Sequence, residues 1–324
     1  MHMKNQRSDV RGTARTCVLF LFVFVAICVA TEHARAANLT VNCDKNKTIH
    51  AALGLLAATN PEGPNTIKVL GSCKENVVVQ RLDRLTLITK TGASISDSSG
   101  GTLAVVDIES SQNVTLQGFT INGGVDGVAC TTASVCYLTG NTVQSSVGQE
   151  AVLVVGGSRA FLATNLIQNN TQRGLTIANG SQAFSAEDTF QGNADAAIVA
   201  NSGAYLTATS AIVQNNGSDG SDAIIASDHS ALRLISCTIT GNSGSGVRLQ
   251  HSAEARFDNY VGPTTVTGNG GTGVFVRDLS FALFGPSTIT GNLSGTDVTC
   301  SPQFPATRGA LTNIGGGMTN CVEP

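Results

Sequence analysis

Five residues between positions 228 and 278 carry side chains suited to acid/base chemistry: Asp228, His229, Arg248, His251 and Asp278. An imidazole moves protons near neutral pH, a carboxylate orients it, and a guanidinium steadies negative charge as it develops. They meet only if the chain winds back on itself between them. Aligning the repeats described next puts Asp228, Gln250 and Asp278 in one slot of three successive turns of chain. His229 and His251 then fall in the following slot, about 5 Å apart at strand spacing, with Arg248 and Arg277 on the same outward side. Such a set suits work on a sugar or the holding of a metal. The competing reading is a row of solvated turn residues. No Cys-x-x-Cys or His cluster stands at ligand spacing, so neither a metal nor a cofactor is expected.

The winding is written in a recurring phrase. It reads Asn165-Leu-Ile-Gln-Asn-Asn170, Asp188-Thr-Phe-Gln-Gly-Asn193 and Ala211-Ile-Val-Gln-Asn-Asn216, then Cys237-Thr-Ile-Thr-Gly-Asn242, Thr264-Thr-Val-Thr-Gly-Asn269 and Ser287-Thr-Ile-Thr-Gly-Asn292. The central apolar residues fall at 167, 190, 213, 239, 266 and 289, steps of 23, 23, 26, 27 and 23. A period in the twenties without room for a helix means coils of strand and turn stacked into a solenoid. Like residues then stack on like, so the six terminal Asn form a ladder whose amides satisfy one another and the turn backbone. A Ser column, Ser158, Ser181, Ser230 and Ser280, runs with Ala204 filling one slot. In the coil beginning at Ser252 five extra residues make Asp258 to Pro263 a bulging loop.

A second column runs from Gly127-Val-Ala-Cys130 through Gly273-Val-Phe-Val276. Its second and fourth members are apolar and face inward, because side chains alternate across a strand. Its first member is always Gly or Ala, the mark of a tight corner. The outward member is Ala129, Leu153, Thr176, Val199, Ile225, Arg248 and Phe275. The stripe Leu153, Val199, Ile225 and Phe275 is therefore a candidate contact surface for a polysaccharide, another surface protein or a second copy of the chain. Cover by the longer turns is the alternative.

The first 36 residues read as an address. Lys4, Arg7, Arg11 and Arg15 precede the 14-residue apolar run Cys17 to Ala30, and Ala34-Arg-Ala36 supplies an exit. A signal peptide cut after Ala36 is expected, with a secreted, periplasmic or cell-surface destination; the apolar run is short for a membrane span. Its removal leaves 19 − 5 = 14 Lys+Arg against 22 − 2 = 20 Asp+Glu, about −6 net. With no basic stripe to neutralise phosphates, nucleic acid is excluded as a partner. Seven cysteines remain, and their order suggests Cys43–Cys73, Cys130–Cys136 and Cys300–Cys321, with Cys237 left over; other pairings stay open. Residues 37–65 are expected to form a strand and a helix capped by Thr48, closing the open hydrophobic end of the solenoid. Coils follow over 66–295, about ten of them, and 296–324 close the far end.

The stacked phrases resemble the right-handed parallel β-helix proteins, the superfamily of pectate lyases, pectin methylesterases and polygalacturonases. The resemblance covers roughly residues 48–295 and implies an all-β, single-stranded right-handed parallel β-helix with an N-terminal capping helix. Thr48-Ile-His-Ala-Ala-Leu53 with Gly71-Ser-Cys-Lys-Glu-Asn-Val-Val78 is similar to the opening of the methylesterases. Catalytic motifs do not accompany it. Glu187-Asp188-Thr-Phe190 resembles a methylesterase Gln-Asp-Thr segment, yet no Asp-Phe-x-Phe-Gly or Arg-Pro-Trp follows. The polygalacturonase Asn-x-Asp, Asp-Asp, Gly-His-Gly and Arg-x-Lys are absent, and no carboxylate nest matches the lyases; Asp188 and Asp195 read as single turn residues. The expectation is an exported, non-catalytic interaction module. The alternative is a carbohydrate-active enzyme (lyase, hydrolase or epimerase) using the Asp228/His229/Arg248/His251/Asp278 patch.

Overall fold

The computed structural model describes residues 36–300, the backbone of 307–308, and 314–321. The expected signal segment and most of 301–313 lie outside the described residues. Each coil contributes one short strand to each of three parallel sheets, which we call faces one, two and three in the order the chain visits them. Face one has twelve strands, faces two and three ten each, and in all three the neighbours are strands of successive coils. The molecule is a right-handed parallel β-helix of about ten turns, as the repeat predicts.

Alternation builds the core. On face three, Val106, Val128, Val152, Leu175, Ile198, Ile224, Val247, Val274 and Val298 stand in register and are buried. Face two adds Ile121, Val143, Ile167, Phe190, Val213, Ile239, Val266 and Ile289, likewise stacked like on like. From Gly127 to Gly273 the corner entering face three takes only Gly or Ala, because a larger side chain has little room there. A Cβ on Gly174 would stand 2.5 Å from the Ala197 carbonyl oxygen.

Corners have no strand ladder of their own, and side chains replace it. Between faces two and three the Asn ladder runs through 170, 193, 216, 242, 269 and 292, each Asn donating its amide to the carbonyl oxygen of the next at 2.8–3.0 Å. Asn292 closes the ladder on Asp297. Between faces three and one, hydroxyls of Ser111, Ser134, Ser158, Ser181, Ser230 and Ser280 each accept from a backbone N–H one coil earlier. A third ladder, Asn141–Asn165–Asp188, lines the corner between faces one and two. Asp188 is thus fully buried, accepting from the Asn165 backbone and amide and from the Ser185 hydroxyl. The sequence reading of Asp188 as a plain turn residue is corrected by that ladder, which one residue type alone does not reveal.

The N-terminal end is closed. The strand Ala37–Asn42 pairs with Asn65–Leu70, and the helix Ile49–Thr59 packs Ile49, Leu53 and Leu56 into the core. Thr48 caps it, and the Glu75 carboxylate accepts from the N–H groups of Ile49 and His50, two donors a helix leaves unpaired. Cys43–Cys73 pins this cap, Cys130–Cys136 crosses the core inside one coil, and Cys300–Cys321 ties the last segment down; Cys237 is a buried free thiol. Among the described residues no helix is long and apolar enough to cross a membrane.

Candidate functional site

The five-residue patch assembles differently from its sequence alignment. Ala226, Leu249 and Val276 have neighbouring positions in the register of face three. Two residues on, Asp228, His251 and Asp278 therefore form one column, and His229 falls a position later, beside Ser252 and Leu279. The sequence alignment is one residue out at the middle coil, since the register steps by 23 and then 27 (226 to 249 to 276). His251 lies between two carboxylates, Nδ1 3.2 Å from Asp228 Oδ1 and Nε2 3.7 Å from Asp278 Oδ2. His229 joins them only through its backbone N–H, which donates to the His251 carbonyl oxygen. Asp228, His229, His251 and Asp278 all have φ between 52° and 63°. They occupy a two-residue left-handed turn that the coils make here from Thr132-Ala133 to Asp278-Leu279, for which Asp and Asn are among the tolerant side chains. The turn accounts for their presence.

Arg248 points away from that column. Its Nε sits 2.6 Å from Asp222 Oδ2, an ion pair without an aligned hydrogen bond, and its guanidinium lies 5.6 Å above the Phe275 ring. Arg248 and Phe275 line a depression of about 310 Å³ with Ser245, Thr272 and Thr299. Arg277 bonds to Asp278. Leu153, Val199, Ile225 and Phe275 do stand in one outward file. The file is not the open apolar surface expected of it, since Val199 is 6% exposed and the other three are half-buried.

Along that face lies a carboxylate group that the repeat alignment passed over. Asp126, Glu150 and Arg173 share one file, and Asp107 stands beside Ala129 in the next. Burial, then the neighbouring Glu150 charge, push the Asp126 carboxyl up to about 6. Burial also raises Glu150, against the pull of Arg173, which bridges Glu150 at 3.4 Å and Asp195 at 3.1 Å. Their signal was the acidic residue preceding the Gly/Ala corner in two adjacent coils, Asp126-Gly127 and Glu150-Ala151. These carboxylates do not converge on a point. Among the described residues the one convergent set of three metal-ligand types is Cys43, Cys73 and Glu75, whose sulfurs are bonded to each other.

Face one carries the most developed surface. Its outward file reads Thr115, Tyr137, Phe161, Phe184, Thr207, Arg233, Arg256 and Leu283. Tyr137, Phe161 and Phe184 stack with centroids 4.9 and 5.1 Å apart and planes within 11°. Both faces of Phe161 are spent on its neighbours, and Phe184 meets Tyr205 edge to face at 6.3 Å. Beyond them Asp258 bridges two guanidiniums, Oδ2 to Arg233 Nε and Oδ1 to Arg256 Nε, both at 2.7 Å. Arg233 also donates to the Tyr260 hydroxyl and lies 5.3 Å over that ring, which is 71% exposed. Burial alone would raise the Asp258 carboxyl; hydrogen bonds from Arg233 and Arg256 outweigh it and hold it below its ordinary value. Asp258 thus ends a strand, and only the residues after it form the expected loop. A depression of about 220 Å³ beside Arg256 is lined by Glu254, Phe281 and Leu283 among others.

This architecture is that of a right-handed parallel β-helix. A family model described as "Right handed beta helix region" matches residues 104–259. The A-module of the mannuronan C-5 epimerase AlgE4 from Azotobacter vinelandii superposes with a TM-score of 0.58 at 11% identity, covering 85% of this chain and 90% of that one. Pectate lyase Pel9A gives a TM-score of 0.55 at 11% identity, covering 83% and 78%. At such identity the likeness is one of fold. Comparison with curated proteins finds no match.

Proposed function

We propose that the protein is an exported β-helix module that holds a polysaccharide on the outer side of face one without transforming it. The observation that carries this reading is the Arg256 depression. One guanidinium, fixed by Asp258, shares the lining of this depression with Phe281, Leu283 and Glu254. A sugar ring offers apolar C–H faces and a rim of hydroxyls, which such a lining and such fixed polar groups suit. Pre-organisation matters here, since a guanidinium already held loses little freedom on binding. Three disulfides suit an oxidising compartment, in line with export.

The test is a panel of neutral and uronate-containing polysaccharides, assayed for binding by affinity electrophoresis and for turnover by unsaturated products and reducing ends. Binding that weakens in Arg256→Ala, without any product, supports the module. A specific observation favours a second reading, a carbohydrate-active enzyme: Asp126, raised to about 6 beside Glu150, has a proton to give near neutral pH. Product formation abolished by Asp126→Asn, or by His251→Ala, replaces the first reading with the second.

A further inference from the structure

Face two, which neither reading uses, changes character along its length. Its outward positions form two files. One runs Thr120, Thr142, Leu166, Thr189, Ile212, Thr238, Thr265, Thr288, and the other Asn122, Gln144, Gln168, Gln191, Gln214, Thr240, Thr267, Thr290. Up to Gln214 the second file is an amide ladder in which each Gln donates to the oxygen before it at 2.8–3.0 Å. From Thr238 onward both files are threonine for three successive coils. The strands Thr238–Thr240, Thr264–Thr267 and Ser287–Thr290 thereby set six hydroxyls in a grid, two across and three deep.

Five features make this grid more than composition. Its repeat is fixed by backbone geometry, about 4.8 Å between coils and about 6.6 Å between alternate residues of a strand. The inward residues between the files, Ile239, Val266 and Ile289, are fully buried and hold the sheet in place. Threonine is stiff at χ1, so each methyl and hydroxyl keeps its direction at little entropic cost. None of the six hydroxyls bonds to another protein group among the described residues, in contrast to the spent amides of the coils before. Lys74, on the first strand of this face, is the one charged side chain at its outward strand positions.

An uncharged net of stiff threonines, its methyls and unbonded hydroxyls repeating at about 4.8 Å by about 6.6 Å, is suited to order water in a repeat near the oxygen spacings of a prism face of ice. We propose that Thr238, Thr240, Thr265, Thr267, Thr288 and Thr290 form an ice-binding surface. The grid has no aromatic face and no charge to grip a sugar chain, which sets it apart from the site on face one.

The experiment partitions the purified full chain between slowly growing ice and the remaining solution, beside a bystander protein of similar size, and follows grain coarsening in frozen films. Enrichment in ice and slowed coarsening are expected. Thr265→Lys, at the middle coil, is expected to bring both down to the bystander level. Thr189→Lys, on the same file outside the grid, is expected to leave both unchanged, and each variant is checked for an unchanged thermal unfolding midpoint by circular dichroism. If the wild-type chain is no more enriched than the bystander, or Thr265→Lys behaves as wild type with its fold intact, the inference is overturned. Loss of binding to crystalline cellulose or chitin in Thr265→Lys, without ice enrichment of the wild type, also overturns it and assigns the grid to a polysaccharide surface. Polysaccharide binding that depends on Arg256 and not on Thr265 bears on face one alone.

Discussion

Asn193 donates its side-chain amide to Asn216 Oδ1 at 2.9 Å, and the same nitrogen reaches the Ile167 carbonyl oxygen at 3.2 Å. One residue thereby joins three coils at a corner where the backbone cannot pair with itself. Asn193→Ala leaves the buried Asn170 backbone N–H without its side-chain acceptor and takes one partner each from the Asn170 amide and the Ile167 carbonyl. An unsatisfied buried group costs about 1–3 kcal/mol, so a loss of about 2–4 kcal/mol is expected, read from the urea midpoint. The same change at exposed Asn169 is expected to cost far less, since its role is to supply a left-handed turn residue.

Asp126 makes stability depend on pH in an unusual direction for a carboxylate. Its folded pKa of about 6 exceeds the ordinary 3.8, so the folded state binds the extra proton between these values. The stability this supplies is full below pH 3.8 and disappears as pH rises through 6. Asp126→Asn keeps the neutral shape at every pH. It is expected to match wild type near pH 3.5 and to exceed it by about 1–2 kcal/mol at pH 8, after allowance for partial exposure. Thermal midpoints across that range check the crossing.

The coils were legible because solenoid geometry forces every inward position to repeat, as Ile167, Phe190 and Val213 do. Corners were legible where one residue type recurs, as with the six Asn. Legibility failed where stacked partners differ in type. Asn141, Asn165 and Asp188 form one ladder, yet only the register reveals that Asp188 belongs to it. Stacking like on like sets His251 above His229, whereas the coil places it between Asp228 and Asp278. The Arg233–Asp258–Arg256 bridge was hidden for another reason. It joins side chains from two coils through a residue at the edge of an irregular loop, where the period breaks. Likewise the aromatic file, Tyr137, Phe161 and Phe184, carries no phrase of its own, being spaced 24 and 23 residues apart among ordinary strand residues.

Asp258 contributes in the opposite sense to Asp126. Its folded pKa is depressed by two guanidinium hydrogen bonds, so its stability is present above the ordinary 3.8 and fades as pH falls through the folded value. Asp258→Asn is expected to lower the thermal midpoint at pH 7 and to converge with wild type as the solution is acidified below 3.8. It also frees Arg233 and Arg256 from their shared acceptor. Polysaccharide binding on face one should therefore weaken through lost pre-organisation, with a steeper salt dependence, even where the fold persists.

The three disulfides differ in what shields them. Cys130 and Cys136 are 1% and 0% exposed, inside the core, whereas Cys43 and Cys321 are half-buried at the two ends. Thiol–disulfide exchange needs a thiolate to reach sulfur, so access governs the order of reduction. In native buffer, mild reductant with alkylation is expected to label Cys43, Cys73, Cys300 and Cys321 first, and Cys130 and Cys136 only once denaturant opens the coil. Buried Cys237, its thiol pushed up to about 11 by burial, should stay unlabelled alongside them. Chain entropy adds a second distinction. Closing the 30-residue separation of Cys43–Cys73 restricts the unfolded chain more than closing the 6-residue separation of Cys130–Cys136, by about 1 kcal/mol on the loop-length relation. Paired Cys→Ser variants at the N-terminal bridge should therefore lose more from loop entropy, while those at the core bridge lose packing around two buried sulfurs. Mass mapping of the alkylated peptides separates the kinetic order from these equilibrium costs, and labelling of Cys130 before Cys43 in native buffer would show that the coil around residue 130 opens before the N-terminal cap does.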